Sequence, residues 1–199
     1  MAKSFTFIVM RRFNHKKAVQ ALNLFAVRGG GSMNKMKALK LMWLADRFHL
    51  RKYGRTIIFD FYVAMENGPV PSLTRDILQQ NAMGASNEAL EYSNKYLRTT
   101  QYDYSSVANT NEGVFSSSDL EALGVVFDTY GGLGKYELRD LTHEFPEWKK
   151  WEDGIKNKKF KSHEMDYNDF FLSAGDNHAL FTDDAETLGL VQALFSKQK

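Results

Sequence analysis

Asp46 and His49 are the residues whose types and spacing come nearest to catalytic chemistry. Three residues apart on a helix, they share one side, where a carboxylate can orient an imidazole as a general base. A base needs something to act on. The sequence offers no Gly-x-Ser-x-Gly elbow and no evident oxyanion donor, so a buried polar pair that fixes the helix against neighbouring strands is the better reading. The histidines at 15, 49, 143, 163 and 178 are scattered. His143-Glu144 and His163-Glu164 begin like a zincin motif, but Glu147 and Tyr167 stand where its second histidine belongs. The chain has no cysteine, which removes disulfide, zinc-finger, iron–sulfur and thiol chemistry together. Gly29–Gly31 lacks the Lys-Ser/Thr of a phosphate loop, and Gly131-Gly132-Leu133-Gly134 follows a helix, unlike a dinucleotide fingerprint. No catalytic residue, metal ligand or cofactor is assigned, and the chain reads as a non-enzyme.

The charge pattern is more informative than the net charge of +2. Seven Lys or Arg lie between Met33 and Arg55 against Asp46 alone, and six lysines lie between Lys149 and Lys161. From Glu164 to Glu186 there are seven acids and no Lys or Arg. Such segments pair with one another in a fold, or else leave a polarised surface that steers a charged partner. On a helix through residue 53, Lys40, Arg47 and Arg51 form a basic stripe, the footprint a nucleic-acid-binding regulator would use. That helix is too apolar to lie in a groove. Tyr96, Tyr102 and Tyr104 could stack bases, but sheet packing explains them equally well. Nucleic acid is therefore the alternative partner and not the first.

The elements that must position these residues follow from periodicity and caps. Asn14 opens a helix that buries Ala18, Leu22 and Phe25 and stops at Gly29–Gly31. Ser32 or Asn34 opens a second, which runs to about Tyr53 and ends at Gly54; its wide apolar arc makes it the central helix. Ile57–Met65 alternates as an extended segment, and the Tyr- and Thr-rich stretch Lys95–Ala108 supplies strands to pair with it. Gly68-Pro69-Val70-Pro71 excludes helix and turns the chain into a short one capped by Ser72. Ser118–Glu121 reads as a capping box, Pro146 as a first-turn proline, and Asp183 with Glu186 as the start of a last helix. The expected fold is α+β, predominantly α-helical, one domain with a small antiparallel sheet. The domain is expected over 1–163, with an acidic C-terminal segment, 164–199, packed on it and ending in a helix. The apolar run Phe5–Met10 is too short for a signal sequence and no stretch is long enough for a membrane span, so a cytoplasmic protein is expected.

Lys40, Leu41, Ala45, Asp46, His49, Leu50 and Gly54, followed by Gly68-Pro69-Val70-Pro71-Ser72, form an ordered pair of motifs. A third, Leu141-Thr-His-Glu-Phe-Pro-Glu-Trp148, comes later. In this order they resemble the Panacea domain of SocA-like antitoxins over about residues 15–151, with Trp43 where the family usually has tyrosine. The resemblance implies a non-enzymatic antitoxin of a type II system, which neutralises a toxin encoded by an adjacent gene through direct binding. Family partners include small-alarmone-synthetase-like and other translation-blocking toxins; one branch delivers its toxin to a AAA+ protease, and many members sit in prophages and other mobile elements. An antitoxin needs a rigid platform that presents aromatics and arginines. The expected contact surface is Arg47, Arg51, Tyr62, Glu66 and Asn67. Asp46, His49, Gly54, Gly68, Pro69 and Pro71 are expected to be structural.

Overall fold

The computed structural model describes residues 12–175 and 178–196; the apolar run Phe5–Met10 lies outside the described residues. Among them are eight α-helices and two three-stranded antiparallel sheets, so the fold is α+β and mainly helical. α1 (His15–Arg28) is capped by Asn14, whose side chain accepts from Lys17 N–H, and buries Ala18, Leu22 and Phe25 completely. α2 (Lys35–Tyr53) is capped by Asn34 and closed by Gly54 at φ +70°, a left-handed backbone that a glycine adopts without steric cost. It packs against α1, α5 (Ser117–Tyr130), α6 (Lys135–Thr142) and α8 (Ala185–Ser196). The wide apolar arc of α2 thus has neighbours on every side.

The sheets differ from expectation. Ser32–Asn34 forms β1, which pairs with β5 (Asp103–Ser106), and β5 pairs with β4 (Leu97–Thr99). The strands of Lys95–Ala108 therefore do not pair with Ile57–Met65. Gly30 and Gly31, at φ +87° and +99°, turn the chain out of α1 so that three extended residues precede α2 and offer β5 an edge. Only Tyr62–Met65 of the alternating segment is a strand, β2. Its two edges are taken by β3 (Gly68–Pro71) and β6 (Ser162–Glu164). Tyr104 is buried, with its hydroxyl donating to Leu22 O, while Tyr102 is 65% exposed in the turn before β5. The tyrosines do not form one stacking face.

Caps moved by a residue or two. The capping box of α5 is Ser116 with Asp119, not Ser118 with Glu121. α3 (Ser72–Leu78) takes no cap bond from its own neighbours; the Asp60 carboxylate accepts from Leu73 and Thr74 N–H at 2.9 and 2.8 Å. Asp184 accepts from Thr187 N–H at the start of α8. Pro146 is in the first turn of α7 (Pro146–Lys156) as expected, and α4 (Asn87–Tyr96) is capped by Ser86. The acidic segment pairs with the basic ones: Asp183 with Arg51 at 2.8 Å and Asp169 with Lys150 at 2.8 Å. α8 turns Leu188, Val191 and Phe195 to the core and leaves Leu190 and Leu194 at the surface. Among the described residues no helix is long and apolar enough to cross a membrane, and no cluster of three His, Cys, Asp or Glu is placed to hold a metal ion.

Candidate partner-binding site

Lys40, Asp46, Arg47, His49 and Arg51 of α2 are buried, and between them they tie down several different segments. Lys40, 1% exposed, donates to Pro69 O at 2.6 Å; burial holds its ammonium well below the ordinary lysine pKa. Asp46, wholly buried, accepts from Ile57 N–H and from the Tyr62 hydroxyl, both at 2.7 Å. Burial pushes its pKa up to about 7 against those two bonds. His49 is equally buried. Its Nδ1 lies 2.7 Å from Arg55 O, which can only accept, so Nδ1 carries the proton and Nε2 accepts from Ser118 Oγ at 3.0 Å. Burial lowers the imidazole to about 4. Asp46 and His49 therefore do not pair with each other; they diverge, one to β2 and one to α5. Both residues are buried and structural, as expected, but they form two separate joints and not one pair.

The three motifs meet around α2. Gly68, at φ +92°, follows the two-residue turn Glu66-Asn67 and packs so closely that a Cβ would lie 2.8 Å from Thr142 Oγ1 and 3.0 Å from Lys40 Nζ. β3 is an edge strand. Its Pro69 carbonyl faces Lys40, so the N–H groups that Pro69 and Pro71 lack would have faced α2 as well. Trp43 meets Phe145 edge-on at 4.9 Å and Phe170 at 6.1 Å, which is how an indole serves as the aromatic anchor here. Arg47 donates to Glu147 Oε1 at 2.6 Å and to Leu172 O at 2.8 Å, with its guanidinium over the Phe145 and Phe181 rings. Burial raises the Glu147 carboxyl against the attraction of Arg47. Trp148 donates to Met65 O at 2.9 Å, and His143 stacks on its ring at 3.7 Å. The signature residues are the joint of the fold.

That joint corrects the expected contact surface. Arg47, Arg51 and Tyr62 are 0%, 3% and 0% exposed and cannot meet a partner from the surface. Arg51 is covered by the C-terminal segment: it binds Asp183 and the carbonyls of Phe170, Leu172 and Phe181. The Lys40/Arg47/Arg51 stripe is thus internal and presents nothing to a phosphate backbone. Of the five residues expected at a partner, only Glu66 and Asn67 are exposed, at the tip of the β2–β3 turn. Sequence reasoning met Glu147 only as the residue that breaks a zincin motif and did not single out Asp60, because the partners of both are remote in the chain.

The surface feature that sequence reading missed is an open groove of about 1270 Å³. The starts of α1 and α4, the loop from Gly54 to Phe61, Tyr167 and Phe195 enclose it. Phe61 stands at its wall with 41% of its surface exposed, between the buried Asp60 and Tyr62. Phe59, also lining it, has φ +54°, a left-handed conformation that bulky side chains avoid.

Comparison with known proteins gives one family. A family model described as the antitoxin SocA-like, Panacea domain, matches residues 39–149. No curated protein and no solved structure matches. The matched span holds all three motifs; α1, β6, α8 and the residues Phe170, Leu172 and Asp183 that complete the joint lie outside it.

Proposed function

Because the chain belongs to the SocA-like antitoxin family, matched through its Panacea domain, we propose that it neutralises a protein toxin encoded by an adjacent gene by binding it directly, without turnover. The observation that carries this reading is the fate of the motif residues. Lys40, Asp46 and His49, and Arg47 beside them, are buried and bound to backbone or side chains of other segments. None is held ready for a substrate. Chemistry-bearing residues engaged in this way favour a rigid scaffold whose work is done by its surface. The toxin is of the translation-blocking kind, small-alarmone-synthetase-like toxins included, and the interaction takes place in the cytoplasm. Delivery of the toxin to a AAA+ protease is a further mode open to this family. It differs from simple occlusion in shortening the toxin's half-life.

Co-expression tests the reading. The neighbouring gene is induced alone and then together with this chain, and growth and co-purification are scored. Arrest by the neighbour, rescue by this chain and a stable complex are the expected results. A harmless neighbour with nothing co-purifying would remove the proposal. Loss of rescue in a strain without the protease would identify delivery, since an occluding antitoxin needs none.

A further inference from the structure

The groove beside α1 and α4 combines an apolar lining with a positive border. Phe13, Phe61 and Phe195 contribute to its lining, and the exposed Arg12 and Lys16 carry its positive border; Arg55 also lines it, with its guanidinium paired to Asp119 at 2.9 Å. Of the two acids that line it, the Asp60 carboxylate is turned to the N–H groups of α3, while Glu88, exposed at the rim 3.6 Å from the His15 imidazole, whose pKa burial lowers, leaves one negative charge against the Arg12 and Lys16 side. The N-termini of α1 and α4 both open onto it and add the positive ends of two helix dipoles. Phe59, which also lines the groove, has a left-handed backbone, as Gln80 and Lys158 do elsewhere in the chain.

An apolar floor within a positive border is complementary to an apolar segment flanked by carboxylates. The chain's own residues 1–11 have the wrong sign for it, with Lys3 and Arg11 and no acid. We infer that this groove docks an apolar segment of the toxin flanked by Asp or Glu, with Phe61 as the central contact; the inference rests on the antitoxin reading above. The floor comes partly from the matched domain, through Arg55 to Phe61, and partly from flanking residues outside it, Arg12 to Lys16, Tyr167 and Phe195. Partner choice is then set jointly by the family domain and this chain's own additions.

The test uses the full chain and the toxin that co-expression identifies. Phe61→Asp and the double charge reversal Arg12→Glu/Lys16→Glu are each expected to weaken toxin binding at least tenfold in titration calorimetry and to abolish rescue. Wild-type affinity should fall as salt is raised. Tyr136→Asp, on α6 away from the groove and 57% exposed, should bind as wild type. Circular dichroism reports folding; if Phe61→Asp does not fold, the charge reversal carries the test, because Arg12 and Lys16 are both exposed. Groove variants that bind and rescue like wild type would overturn the docking site and leave the antitoxin reading intact. Loss in Phe61→Asp with no effect of charge reversal would overturn the acidic character of the occupant. A homodimer in light scattering that Phe61→Asp splits would assign the groove to a second copy and overturn the inference. A wild-type chain that neither binds nor rescues would overturn both readings together.

Discussion

The interior of α2 and the groove beside α1 invert the usual distribution of polar and apolar groups. α2 buries Lys40, Asp46, Arg47, His49 and Arg51, while the groove leaves Phe61 41% exposed at its wall. Exposed single aromatics are ordinary, but buried charges are not, and each must be compensated by hydrogen bonds. The compensation identifies the role: every buried polar side chain of α2 bonds to a segment distant in sequence. Polar residues on this helix are therefore read as structural, and the search for function moves to the apolar residues left outside. A charged stripe drawn on a helical wheel does not reveal which side faces solvent.

The largest effect that would break this contrast is at Arg47. Arg47→Ala leaves Glu147 buried and uncompensated, and urea unfolding should show a loss of about 3–5 kcal/mol. Arg47→Met with Glu147→Leu should recover most of it, since a packed apolar pair avoids both desolvation costs. Full retention of stability in Arg47→Ala would contradict a structural joint.

Next is the opposed pH dependence of Asp46 and His49. His49 titrates at about 4 when folded against an ordinary 6.5, so the unfolded chain binds the proton first. Its contribution is intact above 6.5 and is lost as pH falls toward 4. Asp46, raised from 3.8 to about 7, contributes fully below 3.8 and loses that contribution as pH rises through 7. The stability gap between wild type and His49→Gln should shrink on acidification. Relative to Asp46→Asn, wild type should weaken toward pH 8. Each change is on the order of 3 kcal/mol across its window, read from denaturation midpoints at several pH values. Parallel slopes would mean that the two residues act as one unit.

A smaller loss, about 1–3 kcal/mol, is expected for Gly68→Ala, where a positive φ and the close approach of Thr142 and Lys40 add strain. Thermal unfolding measures it. The smallest effect sharpens the comparison from the other side: Phe61→Ala should cost only about 1 kcal/mol, because 41% of its surface is already exposed. A large destabilisation there would make Phe61 a core residue and remove it from the groove.

Much of the helical framework was legible. Asn14 and Asn34 cap, Gly54 and Gly131 stop, and Pro146 starts a helix, because these depend on local backbone chemistry. The sheets were not, because pairing is chosen among distant edges: β5 pairs with three residues that locally read as a helix cap. The capping of α3 by Asp60 was also hidden, since a remote carboxylate did what Ser72 was expected to do. Of the expected contact residues, Glu66 and Asn67 lie at the surface because a tight turn exposes its tip, and Arg47, Arg51 and Tyr62 do not.

The sequence by itself determined the family, the helix-rich class and the order of the motifs, since those rest on residue identity and short-range periodicity. Only the tertiary structure decided that the motif charges face inward, and that Phe61 faces out over a groove with a basic border. Burial is a property of what packs on a residue from elsewhere in the chain. For α2 the covering came from α5, from α8 and from the segment between Phe170 and Asp183, and no local pattern in Lys35–Tyr53 encodes their arrival.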